Sequence, residues 1–287
     1  MYDLLLKNAW VVDPLNSVNG VADVAIQDSK IAKVQRDITE ETKEVIDFTG
    51  KTLQPGIIDS HVHLGEMWGS PFGPRMLAMN GVTTCLDMAG PLENILDNVP
   101  KYGVGINMAI LQFASPPFTF KDANPSQQEM IDLIDKSLEE GALGVKLLGG
   151  HYPLEPEVSS LLIRTALERR AYVAWHAGTT KNGSNINGMI EAVKMADGYP
   201  MHLAHINAYC RGAIKDAMEE TAIAIDLLKA NPNIFCESYV SPKNGTRLTC
   251  DKDGKIQSKV TGNCLRAFGF TEDKDGVRLS LIHISEP

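Results

Sequence analysis

The sequence predicts an α/β protein, a TIM-type (β/α)8 barrel that is incomplete at its C-terminus and follows a small N-terminal β-sandwich domain. Two observations predict it. Residues 1–54 contain short β-type runs separated by turn-forming residues. After them, seven apolar strand-like runs, from IIDSHVHL at Ile57 to NIFCESYV at Asn233, alternate with amphipathic stretches such as Gln127–Glu140, whose apolar residues have helical spacing.

An eighth strand, which a closed barrel requires, is not evident in the sequence. The chain after Val240 consists of a polar stretch, Ser241–Lys259, then a short apolar piece and a tail, LSLIHISEP, that resembles a translated sequencing adapter. We therefore expect a small β-domain over 1–54, a barrel over 55–278 that lacks its last strand, and an artefactual segment over 279–287. By this interpretation the chain is a C-terminally truncated fragment.

Composition excludes several classes of function. The formal net charge of −9 gives no positive field for nucleic acid or an anionic membrane surface, so neither is expected as a partner. We find no signal peptide and no apolar stretch of 18 residues. The five cysteines are odd in number and scattered, which favours a reducing cytoplasm over a disulfide framework.

The motif IIDSHVHL places two histidines, His61 and His63, two residues apart on a strand. Residues two apart point to the same face, so both imidazoles can bind one metal ion inside the barrel. The alternative is a pair of hydrogen-bonded core histidines, because histidine is intermediate in its tendency to be buried.

Lys146 stands in the apolar strand GALGVKLLGG. A buried lysine is costly unless it is paired or chemically used, and the alternative is a side chain that reaches out to solvent or forms an ion pair. In the functional interpretation, the neutral amine adds carbon dioxide and becomes a carbamate, whose two oxygens can bridge two divalent ions.

Two further histidines, His176 in AYVAWHAG and His205 in PMHLAHIN, stand at the ends of later strands, where barrel active sites are built. Because His202 and His205 differ by an odd number, strand alternation predicts that His202 faces the surrounding helices if His205 faces the barrel axis. His151 and Tyr152 follow two glycines directly after the lysine strand, where a loop can contact substrate or simply lie at the surface.

The chain resembles the amidohydrolase superfamily, in the branch that includes hydantoinases, dihydroorotases and D-amino-acid deacylases. The resemblance rests on DLLLKNAWVVDP at Asp3, DVAIQDSKIAKV at Asp23, the GK pair at Gly50 and PGIIDSHVHL at Pro55, and it extends to about Arg278. It implies that His61 and His63 bind the more buried metal, that Lys146 is the carboxylated bridge, and that His176 and His205 bind the second metal.

Three features of this chain depart from the family's pattern or leave alternatives open. Where the family has a glycine turn, this chain has Asp28, Ser29 and Lys30, for which we expect a type I turn. The family's aspartate on the eighth strand, which takes the proton from the bridging water, has no counterpart, so no catalytic residue is expected here and the chain should be nearly inactive. Some deacylase relatives bind metal through a cysteine near Cys85, although a small buried apolar side chain is favoured there.

The function that the resemblance implies is hydrolysis of a non-peptide or N-acyl C–N amide bond, linear or cyclic, in a small molecule by a metal-bridging hydroxide. The expected cofactors are two divalent metal ions, with zinc expected and manganese, iron, cobalt or nickel left open, and carbon dioxide as the lysine carbamate. A homo-oligomer is compatible with such families. The alternatives are a ring deaminase of the same superfamily and a hydantoinase-like binding protein without catalysis.

Overall fold

The computed structural model describes residues 1–65, 72–238, 251–253, 255–256, 270–273 and 276–279. Two compact units are present, residues 1–86 with 96–108 and residues 87–95 with 109–287. The predicted division between residues 54 and 55 stays a prediction. Most of the predicted polar stretch 241–259 and nearly all of the tail 279–287 lie outside the described residues.

The N-terminal residues form a five-stranded sheet in which β1 is central. Strand β1 pairs with β2 antiparallel and with β4 and β5 parallel, and β3 pairs with the outer edge of β2. These strands are β1 Tyr2–Asp13, β2 Val18–Gln27, β3 Lys30–Gln35, β4 Thr42–Asp47 and β5 Thr52–Leu53. The small β-domain predicted from the short apolar runs is thus observed as a sheet.

A bulge in β1 keeps its apolar residues on one face. Asn8 has a left-handed φ of 61°, which asparagine tolerates better than most residues, and its amide donates to the buried carboxylate of Asp23 at 2.8 Å. The bulge shifts the alternation by one residue, so Leu6 and Ala9 both pack in the same apolar cluster. Asp23 therefore stabilises the bulge in β1.

The turn between β2 and β3 differs from the predicted type I turn. Asp28 and Ser29 both have positive φ, 50° and 60°, which is the pattern of a type I′ turn. This type matches the twist of a two-residue hairpin, whereas a type I turn would splay the strands. The carboxylate of Asp3 accepts the Asp28 amide at 2.8 Å and stabilises the turn.

All seven predicted barrel-type strands are present and alternate with helices. The strands are β6 Ile57–Val62, β7 Val82–Asp87, β8 Asn107–Ala114, β9 Gly144–Leu148, β10 Tyr172–His176, β11 Met201–Leu203 and β12 Ile234–Cys236. The helices are α1 Gly73–Met79, α2 Leu92–Tyr102, α3 Gln127–Glu139, α4 Pro156–Glu168, α5 Ile186–Ala196 and α6 Ala217–Ala230. Two later strands, β13 Phe270–Asp273 and β14 Gly276–Leu279, pair with each other as an antiparallel hairpin.

The second unit has a parallel sheet in the order β8, β9, β10, β11, β12, with its main core on one side. Val145 and Leu147 of β9, and Val173 and Trp175 of β10, pack in one cluster with apolar residues of helices α3 to α6. The residues between them, Lys146 among others, must point to the opposite face. None of the helices among the described residues is long and apolar enough to cross a membrane.

Candidate metal centre

The first pair of candidate ligands lies at the end of β6. The Nε2 atoms of His61 and His63 are 3.3 Å apart, and the rings meet edge to face. Two imidazole nitrogens that bind one tetrahedral cation at about 2.0 to 2.1 Å are about 3.3 Å apart from each other. The spacing therefore fits a shared cation, and Asp59 supports it by accepting the His61 amide at 3.1 Å.

Lys146 is buried in the middle of β9, and only 1% of it is exposed. Its Nζ atom lies 3.3 Å from the sulfur of Met88, a weak acceptor. Burial lowers the pKa of Lys146 to about 7, against the smaller opposing effects of the carboxylates of Glu237 and Asp87. The alternative in which this lysine reaches out to solvent is wrong, and near neutral pH a large fraction of its amine is uncharged.

The second pair of candidate ligands, His176 and His205, lies in the second unit, which also contains Lys146. His176 is the last residue of β10, two residues after the pairing partner of Lys146, so it lies on the lysine's face of the sheet. Its ring centroid is 4.3 Å from that of His205, and the two rings are nearly perpendicular at 82°. The structure thus brings these two predicted ligands together.

The hydroxyl of Tyr209 joins the two strand ends that carry this pair. It accepts a hydrogen bond from the Ala177 amide and donates one to the Ala204 carbonyl, both at 2.8 Å. Tyr209 is fully buried, and burial raises the pKa of its hydroxyl far above the usual value, so it stays protonated. The side chain therefore holds the residue after His176 to the residue before His205.

The prediction that His202 faces the helices is wrong. Ala174 pairs with both Lys146 and His202, and paired residues of neighbouring strands point to the same face of a sheet. The imidazole of His202 accordingly lies on the lysine's face, where its Nδ1 is 2.9 Å from the hydroxyl of Tyr172. Strand β11 ends at Leu203 and His205 has a left-handed φ of 36°, so simple alternation does not extend from residue 202 to residue 205.

The loop after β9 passes directly over His176. A Cβ atom on Gly150 would lie 1.9 Å from His176 Nε2, so this close approach requires a glycine. The ring of His151 lies 4.9 Å from that of His176, whereas Tyr152 packs edge to face on Phe118. Of the two residues predicted to contact substrate, His151 is the one adjacent to a candidate ligand.

Sequence reasoning missed two neighbours of the histidines. The hydroxyl of Ser184 lies 2.7 Å from His176 Nε2, and the carboxylate of Glu237 accepts the backbone amide of His205. Ser184 belongs to a loop of small polar residues, and the composition of such a loop does not predict which side chain contacts His176. Glu237 follows a strand of only three residues, which is too short for alternation to predict where the next side chain points. A carboxylate directly after the seventh strand was the available signal for Glu237.

Cys85 is buried beside Leu64 and Val82, in agreement with the favoured interpretation of a small apolar side chain. Over the parts of the chain that the structure describes, no three His, Cys, Asp or Glu side chains converge as a metal-binding group. The four histidines predicted as ligands instead form two pairs, each within its own unit. A lysine carbamate, which would add an oxygen ligand, lies outside those four residue types.

Comparison with curated proteins finds the dihydroorotase of Streptococcus pneumoniae serotype 4, which is 32% identical over 198 residues. The match covers 65% of this chain and 44% of that enzyme, so the chain spans less than half of the relative's length. No family model matches the chain.

Two solved structures show the fold. The N-acyl-D-glutamate deacylase of Bordetella bronchiseptica, solved with zinc and a phosphonate inhibitor, matches with a TM-score of 0.66 and 19% identity, over 86% of this chain and 60% of its own. A D-aminoacylase, studied for its binuclear metal centre, matches with a TM-score of 0.65 and 20% identity, over 88% of this chain and 61% of its own. The barrel-type α/β fold predicted from the sequence is therefore confirmed.

These relatives also confirm the resemblance that the motifs predict. The chain is similar in sequence to a dihydroorotase and similar in fold to an N-acyl-D-glutamate deacylase and a D-aminoacylase.

Replacing Lys146 by methionine should stabilise the chain in a pH-dependent way when metal and bicarbonate are absent. The pKa of the amine is about 7 in the folded chain and 10.5 in the unfolded chain. Below pH 7, protonating the buried amine therefore lowers the free energy of unfolding by up to about 5 kcal/mol, and this loss disappears as the pH approaches 10.5. Urea unfolding should show a gain for Lys146→Met that is largest at pH 6–7 and shrinks by about 1.4 kcal/mol per pH unit above that. Lys136→Met, an exposed control, should show no such trend; a gain independent of pH would contradict the buried amine.

Removing the hydroxyl of Tyr209 should destabilise the second unit. Tyr209→Phe leaves the Ala177 amide and the Ala204 carbonyl without their shared partner, and each unsatisfied buried group costs about 1 to 3 kcal/mol. We expect a loss of about 2 to 4 kcal/mol in the free energy of unfolding by urea. The half-exposed Tyr199 supplies the control, since Tyr199→Phe should change stability by under about 0.5 kcal/mol; equal effects would refute the role of Tyr209.

Proposed function

We propose that this protein is a metal-dependent hydrolase that cleaves a non-peptide or N-acyl C–N amide bond, linear or cyclic, in a small molecule. The observation that carries the proposal is the amine of Lys146, which is fully buried in an apolar strand, has a pKa of about 7, and shares its face with His176. Proteins rarely keep a buried lysine without a chemical use or a partner charge. The relationship to a dihydroorotase supports the same reaction class.

The donor atoms fit divalent metal ions. His61 and His63 supply two nitrogens at the separation that one tetrahedral cation needs, and His176 and His205 supply a second adjacent pair. We propose that each pair binds one cation, with zinc as the expected metal, and that carboxylated Lys146 is the bridging ligand. When bound, two such cations lower the pKa of a shared water towards neutrality and polarise the amide carbonyl.

Lys146 suits carboxylation because its amine carries a lone pair at working pH. The nitrogen attacks the carbon of carbon dioxide, a C–N bond forms, and one proton is released, which leaves a carbamate with two oxygen donors. A lysine with an ordinary pKa near 10.4 would be almost entirely protonated at pH 7 and unable to react. Burial of Lys146 therefore keeps its amine in the neutral form that reacts with carbon dioxide.

His151 is the residue best placed to orient a substrate beside the second pair. Burial is the main cause that lowers its pKa, so the imidazole is neutral at pH 7 and offers one donor and one acceptor. Its ring contacts that of His176. We propose that His151 contacts the amide or its leaving group, with Tyr152 further along the same loop.

We also propose the cytoplasm as the compartment of this protein, because its cysteines are scattered along the chain.

The lysine also distinguishes the proposal from its alternatives. A ring deaminase that uses one metal has no need for a carboxylated bridge, and a binding protein that has lost catalysis has no need for a neutral buried amine. Metal content and carboxylation therefore test the proposal more directly than a screen of substrates does.

The decisive experiment loads the purified chain with zinc and ¹³C-labelled bicarbonate and measures metal by mass spectrometry and the carbamate carbon by NMR. We expect about two ions per chain and a carbamate signal in the wild type, with fewer ions and no signal in Lys146→Ala, because the bridge is lost. His176→Ala should lose the second ion only, and the surface control Lys136→Ala should match the wild type. Equal metal content in wild type and Lys146→Ala would refute the bridge.

A further inference from the structure

The backbone at His205 is held in a conformation that strands do not provide. Strand β11 ends at Leu203, and His205 has a φ of 36°, in the left-handed region that is unfavourable for a residue with a side chain. A short 3-10 turn, Ile206–Tyr209, follows directly. Something outside this segment must therefore keep the histidine in place.

Glu237, directly after β12, makes two contacts with this turn. Its carboxylate Oε2 accepts the backbone amide of His205, and its own carbonyl accepts the amide of Ile206 at 2.9 Å. The first is a charge-assisted hydrogen bond, about twice as strong as one between neutral groups. These two bonds offset the cost of the left-handed residue and fix the direction in which the His205 ring leaves the chain.

The carboxylate of Glu237 lies next to His202, which in turn contacts Tyr172. His202 Nε2 lies 3.5 Å from Glu237 Oε1, and His202 Nδ1 lies 2.9 Å from the hydroxyl of Tyr172. Burial is the largest cause that raises the pKa of Tyr172, to about 12, so its hydroxyl stays protonated and can donate to Nδ1. In the tautomer that accepts this bond, the imidazole proton is on Nε2, the atom next to the carboxylate.

We propose that Glu237 is a positioning residue that sets the His205 ring against His176, and that Tyr172 and His202 keep its carboxylate aligned. The inference deepens the proposed function, because it rests on His176 and His205 as ligands of the second metal ion. Such supporting residues commonly change metal affinity by about 10- to 100-fold when they are removed.

The inference can be tested first on the chain without metal. In ¹⁵N-labelled protein, the His205 amide should give a strongly downfield proton that exchanges slowly. Glu237→Ala should move that proton upfield and speed its exchange, whereas Glu237→Gln should restore part of the shift because an amide oxygen still accepts the bond. An unchanged His205 amide in Glu237→Ala would overturn the inference whatever the chain does with metal.

Cobalt then serves as the metal probe, since its visible spectrum reports coordination geometry. We expect Glu237→Ala to weaken Co²⁺ binding by about 10- to 100-fold. Its visible spectrum should change in the same direction as that of His205→Ala. Glu237→Gln should have an affinity between those of Glu237→Ala and the wild type. Tyr172→Phe, which removes only one hydroxyl, should give a smaller loss. If Glu237→Ala fails to fold, the test rests on Glu237→Gln and Tyr172→Phe. The inference is overturned if both variants bind Co²⁺ with the affinity of the wild type.

Glu220 provides the matched control. It is another buried carboxylate in the second unit that accepts backbone amides, from Gly212, Ile214 and Lys215, away from the histidines. Glu220→Ala should lower stability and leave the cobalt spectrum unchanged, so an equal spectral change in this variant would overturn the specific role of Glu237. Wild type and His205→Ala that bind cobalt alike would instead refute the proposed second metal site, a failure distinguishable from that of Glu237.

Discussion

The alternation of side chains along β9 and β10 is the constraint on which the candidate site depends. Val145, Leu147, Val173 and Trp175 face the helices, and burial of each such side chain is worth about 1.5 to 3 kcal/mol. A slip of one residue would exchange every one of them with a residue from the other face. The apolar core therefore fixes the register, and the register sends Lys146 to the opposite face.

The same constraint gives Lys146 its chemistry. No solvent reaches the amine, so its charge is expensive and its pKa falls to about 7. The carboxylates of Glu237 and Asp87 act against this fall and keep the pKa near the working range. Packing on the helical side thus produces a neutral nucleophilic nitrogen on the other side, which is the property that carbamate formation requires.

The imidazoles beside the lysine are placed by a different kind of interaction. His176 still belongs to a strand, but His205 lies beyond one, and its position depends on hydrogen bonds from residues far away in the chain. Tyr209 ties the two strand ends together, and Glu237 holds the left-handed turn. The glycine at residue 150 then allows the next loop to cover His176. Several independent contacts therefore converge on two short turns.

Local periodicity determined the α/β class, the seven strands, the common face of His61 and His63, and the burial of Lys146, since each depends on residues within one element. Only the tertiary structure decided the face of His202, the conformation of His205, and the parts played by Glu237, Ser184 and Tyr209. The physical reason is that alternation holds only while the backbone stays extended. Once β11 ends, hydrogen bonds between distant residues set the direction of each side chain, and spacing along the chain carries no record of them.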